Sequence, residues 1–363
     1  GACPPDRIAK DIEILELLPH GPGVEVDMYL DHKGRVNLRL FQSQDILLSD
    51  ILPVLDHFGL VIIDQYADAV RPSGGPDRDI DTFRLKGVDG VSNEDLLRRT
   101  TLLRDGLRAV FHGHMTDDAL NRLLLRANIP WKAVDLVRGL FGYARQLGLK
   151  YTLSRFQEVV LGRPDVVAAL WGWFSARFDP DLSGSREDAE ADARGQLDDL
   201  IMGITQADQD LVFGTLANLV DSTLRTNFFR QDRAEHYISF KIECAKVKQM
   251  PEPRMMYEIY VHHRAMEGVH LRGGSVARGG IRWSDREDFR REILDLVSTQ
   301  MVKNVLIVPE GAKGGFFIKH AIHDRAARRR RADELYQILI RGLLDVTDNI
   351  IDGKVLRPNR VVA

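Results

Sequence analysis

Apolar and polar residues alternate along Val24-Glu-Val-Asp-Met-Tyr-Leu30 and again along Val36-Asn-Leu-Arg-Leu40, on either side of His32-Lys33-Gly34. A period of two sends successive side chains to opposite faces of a strand, so this stretch predicts a β-hairpin. A helix follows, with Ser49 as its cap, Ile51, Leu52 and Leu55 as its apolar face and Gly59 as its end. Leu60-Val-Ile-Ile-Asp64 then reads as a strand, Arg71 to Asp79 as a Pro/Gly/Asp-rich loop, and Ile80-Asp-Thr-Phe-Arg-Leu85 as a returning strand. The order ββαββ predicts a small α+β sandwich over residues 1–90.

From Asn93 to about Arg230 the period changes to 3.6, as in Leu96 to Leu103, Ala133 to Phe141 and Leu211 to Leu219. This predicts an all-helical region over 91–232, broken at Pro130, Gly162-Arg-Pro164 and Asp179 to Arg186. Trp171, Trp173 and Phe174 could stack on a ligand, but aromatics on an apolar helix fit a core better. Glu187 to Glu190 and Asp198-Asp199 read as a solvated face. The β pattern returns at His236 to Cys244 and Met255 to His262. Residues 233–363 therefore predict a small sheet flanked by helices, an α/β domain that closes an α+β multidomain chain.

That last region carries the chemistry. Ser284 followed by Glu287 reads as a capping box, with Phe289, Ile293, Leu296, Val297 and Gln300 at helical spacing behind it, so a helix is expected from about 285 to 303. Gln300 and Lys303, three apart, share a face at its end. The apolar strand Val305-Leu306-Ile307-Val308 should carry Lys313 into a glycine loop, Gly311-Ala-Lys-Gly-Gly315, and Arg278-Gly279-Gly280 lies upstream. Three cations beside bare backbone suit a small diacid, one cation for each carboxylate. A further lysine, partly desolvated so that its pKa falls, can polarise a carbonyl or handle a water proton. The plainer reading makes these surface cations and turn glycines; their combination in one short stretch weighs against it.

Arg278-Gly-Gly-Ile-Arg-Trp-Ser-Asp-Arg286, Gln300-Met-Val-Lys-Asn304 and Val308-Pro-Glu-Gly-Ala-Lys-Gly-Gly-Phe316 together resemble the substrate domain of glutamate dehydrogenases, and Arg-Trp-Ser-Asp-Arg has the wording of the large NAD-dependent class. The resemblance implies that Lys313 is catalytic, that Arg278, beside Gly279 and Gly280, holds the side-chain carboxylate, and that Gln300 and Lys303 hold the α-carboxylate. It implies oxidative deamination of L-glutamate to 2-oxoglutarate and ammonia, with Lys313 assisting water attack on an iminium and hydride passing to NAD. It also makes the N-terminal sandwich similar to the ACT (ferredoxin-like) domains of these enzymes. Two departures stand out: arginine replaces the family's lysine at 278, a forked donor suited to a carboxylate, and Glu310 replaces a glycine.

The family's general-base aspartate and its nicotinamide-binding Rossmann domain lie downstream of these motifs, and no Gly-x-Gly-x-x-Gly follows a predicted strand here. The chain is therefore expected to be part of a larger enzyme, inactive alone, with NAD bound elsewhere. Its 363 residues, 44% apolar and 28% charged, allow two or three packed domains. A net charge of −3 decides little, but it argues against a general nucleic-acid binder, which would be basic over a whole domain. Arg328-Arg-Arg-Arg331, opening an amphipathic helix with Leu335, Ile338, Leu339, Leu343 and Leu344, fits a solvated face or a contact with an acidic neighbouring subunit of a homo-oligomer. No apolar run reaches the roughly 18 residues of a membrane span, no signal peptide pattern opens the chain, and Cys3 and Cys244 imply no disulfide framework, so the cytoplasm is expected. His112-x-His114 and His262-His263 lack the further ligands of a metal site. The competing reading is a regulatory, scaffolding module that senses an amino acid through its N-terminal domain without chemistry of its own; a spacer with no ligand fits that domain equally well.

Overall fold

A computed structural model describes residues 5–18, 23–43, 46–71, 77–88, 90–303 and 310–362, apart from the side chains of 301–303. The expected strand at Val305 to Val308, the side chain of Lys303, Cys3 and most of the loop after Arg71 lie outside the described residues. The chain divides into two compact units, Gly1–Asp135 and Leu136–Ala363.

The first unit opens with a helix the sequence reading missed, α1 (Pro5–Leu17), and continues as β1 (Val24–Leu30), β2 (Val36–Gln42), α2 (Leu48–His57), β3 (Leu60–Val70) and β4 (Arg78–Val88). The ββαββ order stands as expected, and the four strands pair antiparallel in the order β1-β2-β4-β3. Gly34, at φ +71, makes the hairpin turn, and Gly59, at φ +78, ends α2. Ser49 does not cap α2: Leu47 is the cap residue and offers no side-chain bond. The helix buries Ile51, Val54 and Leu55, while Leu52 is exposed.

Helices α3 (Asn93–Arg98) and α4 (Thr100–Phe111) follow, and α4 packs along β1. Taken from β2, the path β-α-β-β-α with β1 beside β2 is a ferredoxin-like arrangement whose last strand comes first in the chain. One sheet face is charged. Asp27 accepts from Arg7 at 2.5 Å and Lys10 at 3.0 Å, Arg39 pairs with Asp11, and Arg7 lies over the Tyr29 ring. The alternate residues Val26, Met28, Leu38 and Leu40 are buried in the apolar core.

After α5 (Arg122–Arg126), α6 runs over Trp131–Gln146. The helices α7 (Leu153–Gly162), α8 (Pro164–Phe178), α9 (Arg186–Met202) and α10 (Ala207–Ser222) break where proline and glycine predict, with Pro164 in the first turn of α8. Trp173 and Phe174 are core residues, and Trp171 stacks on Phe229 and lies tilted against Phe228.

The second sheet is built from β5 (Thr223–Thr226), β6 (Ile238–Glu243), β7 (Tyr257–His263), β8 (Met266–Arg272), β9 (Ala277–Arg278) and β10 (Ile281–Ser284). Helix α11 (Phe289–Lys303), strand β11 (Glu310–Ile318), helix α12 (Arg325–Asp345) and the hairpin β12 (Asn349–Ile351) and β13 (Lys354–Leu356) complete the chain. The strand order is β10-β11-β8-β7-β6-β5, with β9 also on β11. On one face, α12 buries Leu335, Ile338 and Leu339 with Val261, Met266 and Phe316. The other face receives α11 and the second half of α6.

Candidate active site

Lys313 lies within β11, not in a loop as its glycine neighbours suggested. It is paired with Leu271 of β8 on one side, while Gly311, two residues before it, faces Arg278 of β9. The glycines serve packing. A Cβ on Gly315 would run into Ile293 of α11, and one on Gly314 would come within 2.8 Å of Ile281. A Cβ on Gly279 would coincide with the carbonyl oxygen of Ala312, so the segment after Arg278 rests directly on the strand of Lys313. Gly314 N–H closes this contact on Gly280 O at 3.0 Å.

Alternation along β11 gives the directions. Gly311, Lys313 and Gly315 share a face, and Gly315 meets α11 there. Arg282, the register partner of Gly315, reaches Glu292 of α11 from the same face. Arg278, registered with Gly311 in a parallel pair, belongs to it too. Glu310 falls on the opposite face, with its carboxylate over Gly274. The departure from glycine at 310 therefore puts no negative charge among the cations. Lys313 is half-buried and Arg278 exposed, and among the described residues neither has a carboxylate partner.

Helix α11 starts later than predicted. Ser284 belongs to β10 and is not a helix cap; its hydroxyl donates to Glu292 at 2.6 Å and accepts from Arg286 N–H. Three polar links pin the helix to three strands. Arg290 donates through Nε to Glu258 of β7 at 2.9 Å, Glu292 takes Arg282 at 3.0 Å as well as Ser284, and Gln300 Nε2 donates to Arg278 O at 2.9 Å. The Arg290–Glu258 pair is fully buried, and Tyr143 of α6 adds a 2.7 Å bond to Glu258. Burial, then the Glu258 charge, pushes the Tyr143 hydroxyl well above its ordinary pKa, so it stays a donor. Burial opposes the Arg290 charge, but Glu258 outweighs it and holds the guanidinium protonated. On the α12 face, burial and then Arg272 lower the pKa of His270, opposite Gly314.

Arg278, Gln300 and Lys313 thus come together at one corner, and Gly279 and Gly280 permit the approach. Lys303 ends α11 in the same corner, but its side chain lies outside the described residues. The sequence reading missed Arg290, Glu258 and Tyr143; an arginine and a glutamate inside otherwise apolar periodic segments were the available signal. Clefts of about 400 and 630 Å³ open elsewhere in this unit, at Trp283, His320 and Arg328 and at Arg145, Arg291 and Leu294. Neither contains Lys313, so charge and backbone approach mark the site.

The residues here do not fit a dinucleotide. The strand-to-helix turns Asp285–Asp288 and Lys319–Asp324 carry no glycine to admit a pyrophosphate. Among the described residues no three His, Cys, Asp or Glu side chains gather as metal ligands, and no helix is long and apolar enough to cross a membrane.

Three family models match in succession: a glutamate dehydrogenase ACT3 domain over 23–96, a glutamate dehydrogenase helical motif 3 over 115–180, and a bacterial NAD-glutamate dehydrogenase catalytic domain over 196–363. The NAD-specific glutamate dehydrogenase of Pseudomonas aeruginosa is 37% identical over 339 residues, 90% of this chain and 21% of the relative. That of Mycobacterium tuberculosis is 39% identical over 340 residues, 88% of this chain and 21% of the relative. In Halomonas elongata the figures are 35% over 362 residues, 97% and 22%. The chain spans about a fifth of the length of these curated relatives.

Proposed function

Because the chain belongs to the large NAD-dependent glutamate dehydrogenase family, we propose that the enzyme it forms part of interconverts L-glutamate and 2-oxoglutarate plus ammonia, with NAD as the oxidant. Residues 278–313 supply its substrate corner. Arg278 takes the side-chain carboxylate with its forked guanidinium. Gln300 and Lys303, three residues apart in the last turn of α11, take the α-carboxylate. Lys313 is the catalytic lysine: set between the two carboxylate positions, it polarises the reacting carbon's substituent and moves a water proton. NAD is assigned to no residue of this chain.

The observation that carries this reading is the pair Arg278 and Lys313, which leave one face of β9 and β11 without a carboxylate partner among the described residues. Uncompensated cations beside glycine backbone suit an anionic substrate. In the full-length enzyme Lys313→Ala should remove nearly all kcat while the protein stays folded. Turnover within about tenfold of the parent, a loss of only ~1.4 kcal/mol, would remove Lys313 from the chemistry. The 363-residue chain alone is expected to bind glutamate weakly and to catalyse nothing.

A further inference from the structure

Helix α12 begins against its own electrostatics. Arg325 and Arg328 to Arg331 fall within its first two turns, and its first turn holds no acid, although a helix dipole disfavours cations at that end. Arg328 pairs with Asp285 and lies over the Trp283 ring at 4.8 Å, and Arg331 donates to Glu334 at 2.8 Å. Arg325, Arg329 and Arg330 are exposed, and among the described residues no carboxylate pairs with them. Helix α9 is the opposite case. Its acids begin at Glu187 and Asp188, where the dipole favours them, but continue through Asp192 to Asp199 in the last turn, where it does not. Arg177 takes Glu190 at 3.3 Å and Arg194 takes Asp198 at 2.9 Å. Glu187, Asp188 and Asp192 are exposed and have no cation partner among the described residues.

The two sets match in spacing as well as in sign. Arg325 and Arg329 are one turn apart with Arg330 beside them; Asp192 and Asp188 are one turn apart with Glu187 beside them. We propose that α12 of one copy of this chain docks on α9 of a second copy, axes antiparallel, so that Arg325 meets Asp192, Arg329 meets Asp188 and Arg330 meets Glu187. The same register sets Ala326 against Ala191, both small and exposed, which lets the helices approach closely. Antiparallel axes also bring each helix's disfavoured charges to a surface of opposite sign. The occupant is a second copy because the complementary acids, at the complementary spacing, stand unmatched on this chain. One exposed ion pair contributes little, but three in register steer association and fix its orientation. The proposal is independent of the substrate corner.

Sedimentation velocity of the 363-residue chain should show reversible self-association at about 50 mM salt that weakens at least about tenfold by about 300 mM, as screening shortens. Arg325→Glu with Arg329→Glu should weaken it by about tenfold or more, and Asp188→Lys with Asp192→Lys by as much. All four changes in one chain restore the opposite signs and should return the affinity to within about threefold of the parent. Failure of that rescue means that α9 is not the partner, and overturns the proposal. So does a chain that stays monomeric at about 0.1 mM, or one whose association ignores both reversals. If the arginine reversals spare self-association but abolish binding of inorganic polyphosphate, the patch serves a phosphate-bearing ligand and the proposal fails. Removing cations from the start of α12 should leave the melting temperature unchanged or raise it; a clear fall assigns the arginines to their own helix and counts against docking. Should a reversal fold poorly, Arg329→Gln and Asp188→Asn, which only remove charge, must each weaken association in the same direction.

Discussion

The two sheets of this chain both present charged side chains to a covering helix, yet they use them in opposite ways. On the N-terminal sheet Asp27 is held by Arg7 and Lys10, Arg39 by Asp11, and Asp81 by Gln42 and Gln65. Each charge finds its partner within the unit. On the second sheet the acids and bases nearest α11 are matched as well, Arg290 with Glu258 and Arg282 with Glu292, but Arg278 and Lys313 are not. A matched charge on a sheet is architecture; an unmatched one beside glycine backbone is a place for a ligand. The same comparison weakens the sensor reading of the first unit, whose convergent polar groups are already occupied by one another.

The strongest way to break the comparison is through glycine. Gly279→Ala puts a methyl where the Ala312 carbonyl already is, so β9 or β11 must move. Overpacking of this kind costs about 1–3 kcal/mol, and because it displaces Arg278, KM for glutamate in the full-length enzyme should rise about 100-fold. Gly34→Ala is the matching change in the first unit. It meets nothing within 4 Å but requires φ +71, so it should cost about 1 kcal/mol of stability and leave kinetics untouched. Equal kinetic effects from the two would end the distinction between the sheets.

Asp27→Asn separates them from the other side. Breaking a buried pair while its cations remain costs about 3–5 kcal/mol, so calorimetry of the chain should show unfolding of the first unit at markedly lower temperature, with kcat and KM of the full-length enzyme within about twofold of the parent. Acid gives a gentler version. Burial alone would raise the Asp27 pKa, but the bonds from Arg7 and Lys10 outweigh it and hold the carboxyl below its usual range. A depressed folded-state pKa contributes stability that is present above the unfolded value and is lost as pH falls through the folded one. Wild-type stability should therefore fall below about pH 4 more steeply than that of Asp27→Asn; parallel curves would show that Asp27 is not the group responsible.

The same contrast explains what could be read from the sequence. The ββαββ order, the helical middle and the breaks at Pro130 and Pro164 were legible because local periodicity and backbone chemistry decide them. Helix α1 was not: the first half of its inward stripe is Arg7 and Asp11, and only its end is apolar, where Ile14, Leu15 and the following Leu18 pack with Phe41 and Ile80, too short a run to stand out as an apolar period. Strand β8 was missed because Gly268 and His270 interrupt its alternation, and Gly268 is there to admit Leu339. The run around Lys313 looked like a loop because glycine pairs usually mark turns; here they accommodate Ile293 and Ile281 across a strand. Ser284 and Glu287 carried a cap signature, but tertiary bonding to Glu292 took the serine hydroxyl. Of the site, Arg278, Gln300 and Lys313 were legible as a motif, whereas the Gln300–Arg278 bond depends on a register that only the folded sheet defines.

The smallest expected effect tests how α11 is held. Gly315 offers Ile293 a smooth patch of sheet, so apolar contact alone sets the helix's depth better than its position along its own axis. Directional bonds supply the latter, and Glu292, bonded to both Arg282 and Ser284, lies nearer the surface than the buried Arg290–Glu258 pair. It sits about 12 Å along the helix from Gln300, so a slip there carries Gln300 and Lys303 with it. Glu292→Gln keeps the shape and the Ser284 bond but gives up the charge, and should raise glutamate KM about three- to fivefold with little change in stability. Leu294→Ala, which removes buried apolar volume from the same helix, should do the reverse, costing about 2–4 kcal/mol of stability with KM within about twofold. If the two variants track each other in both measurements, the helix is held by burial alone and its polar links only decorate the seam.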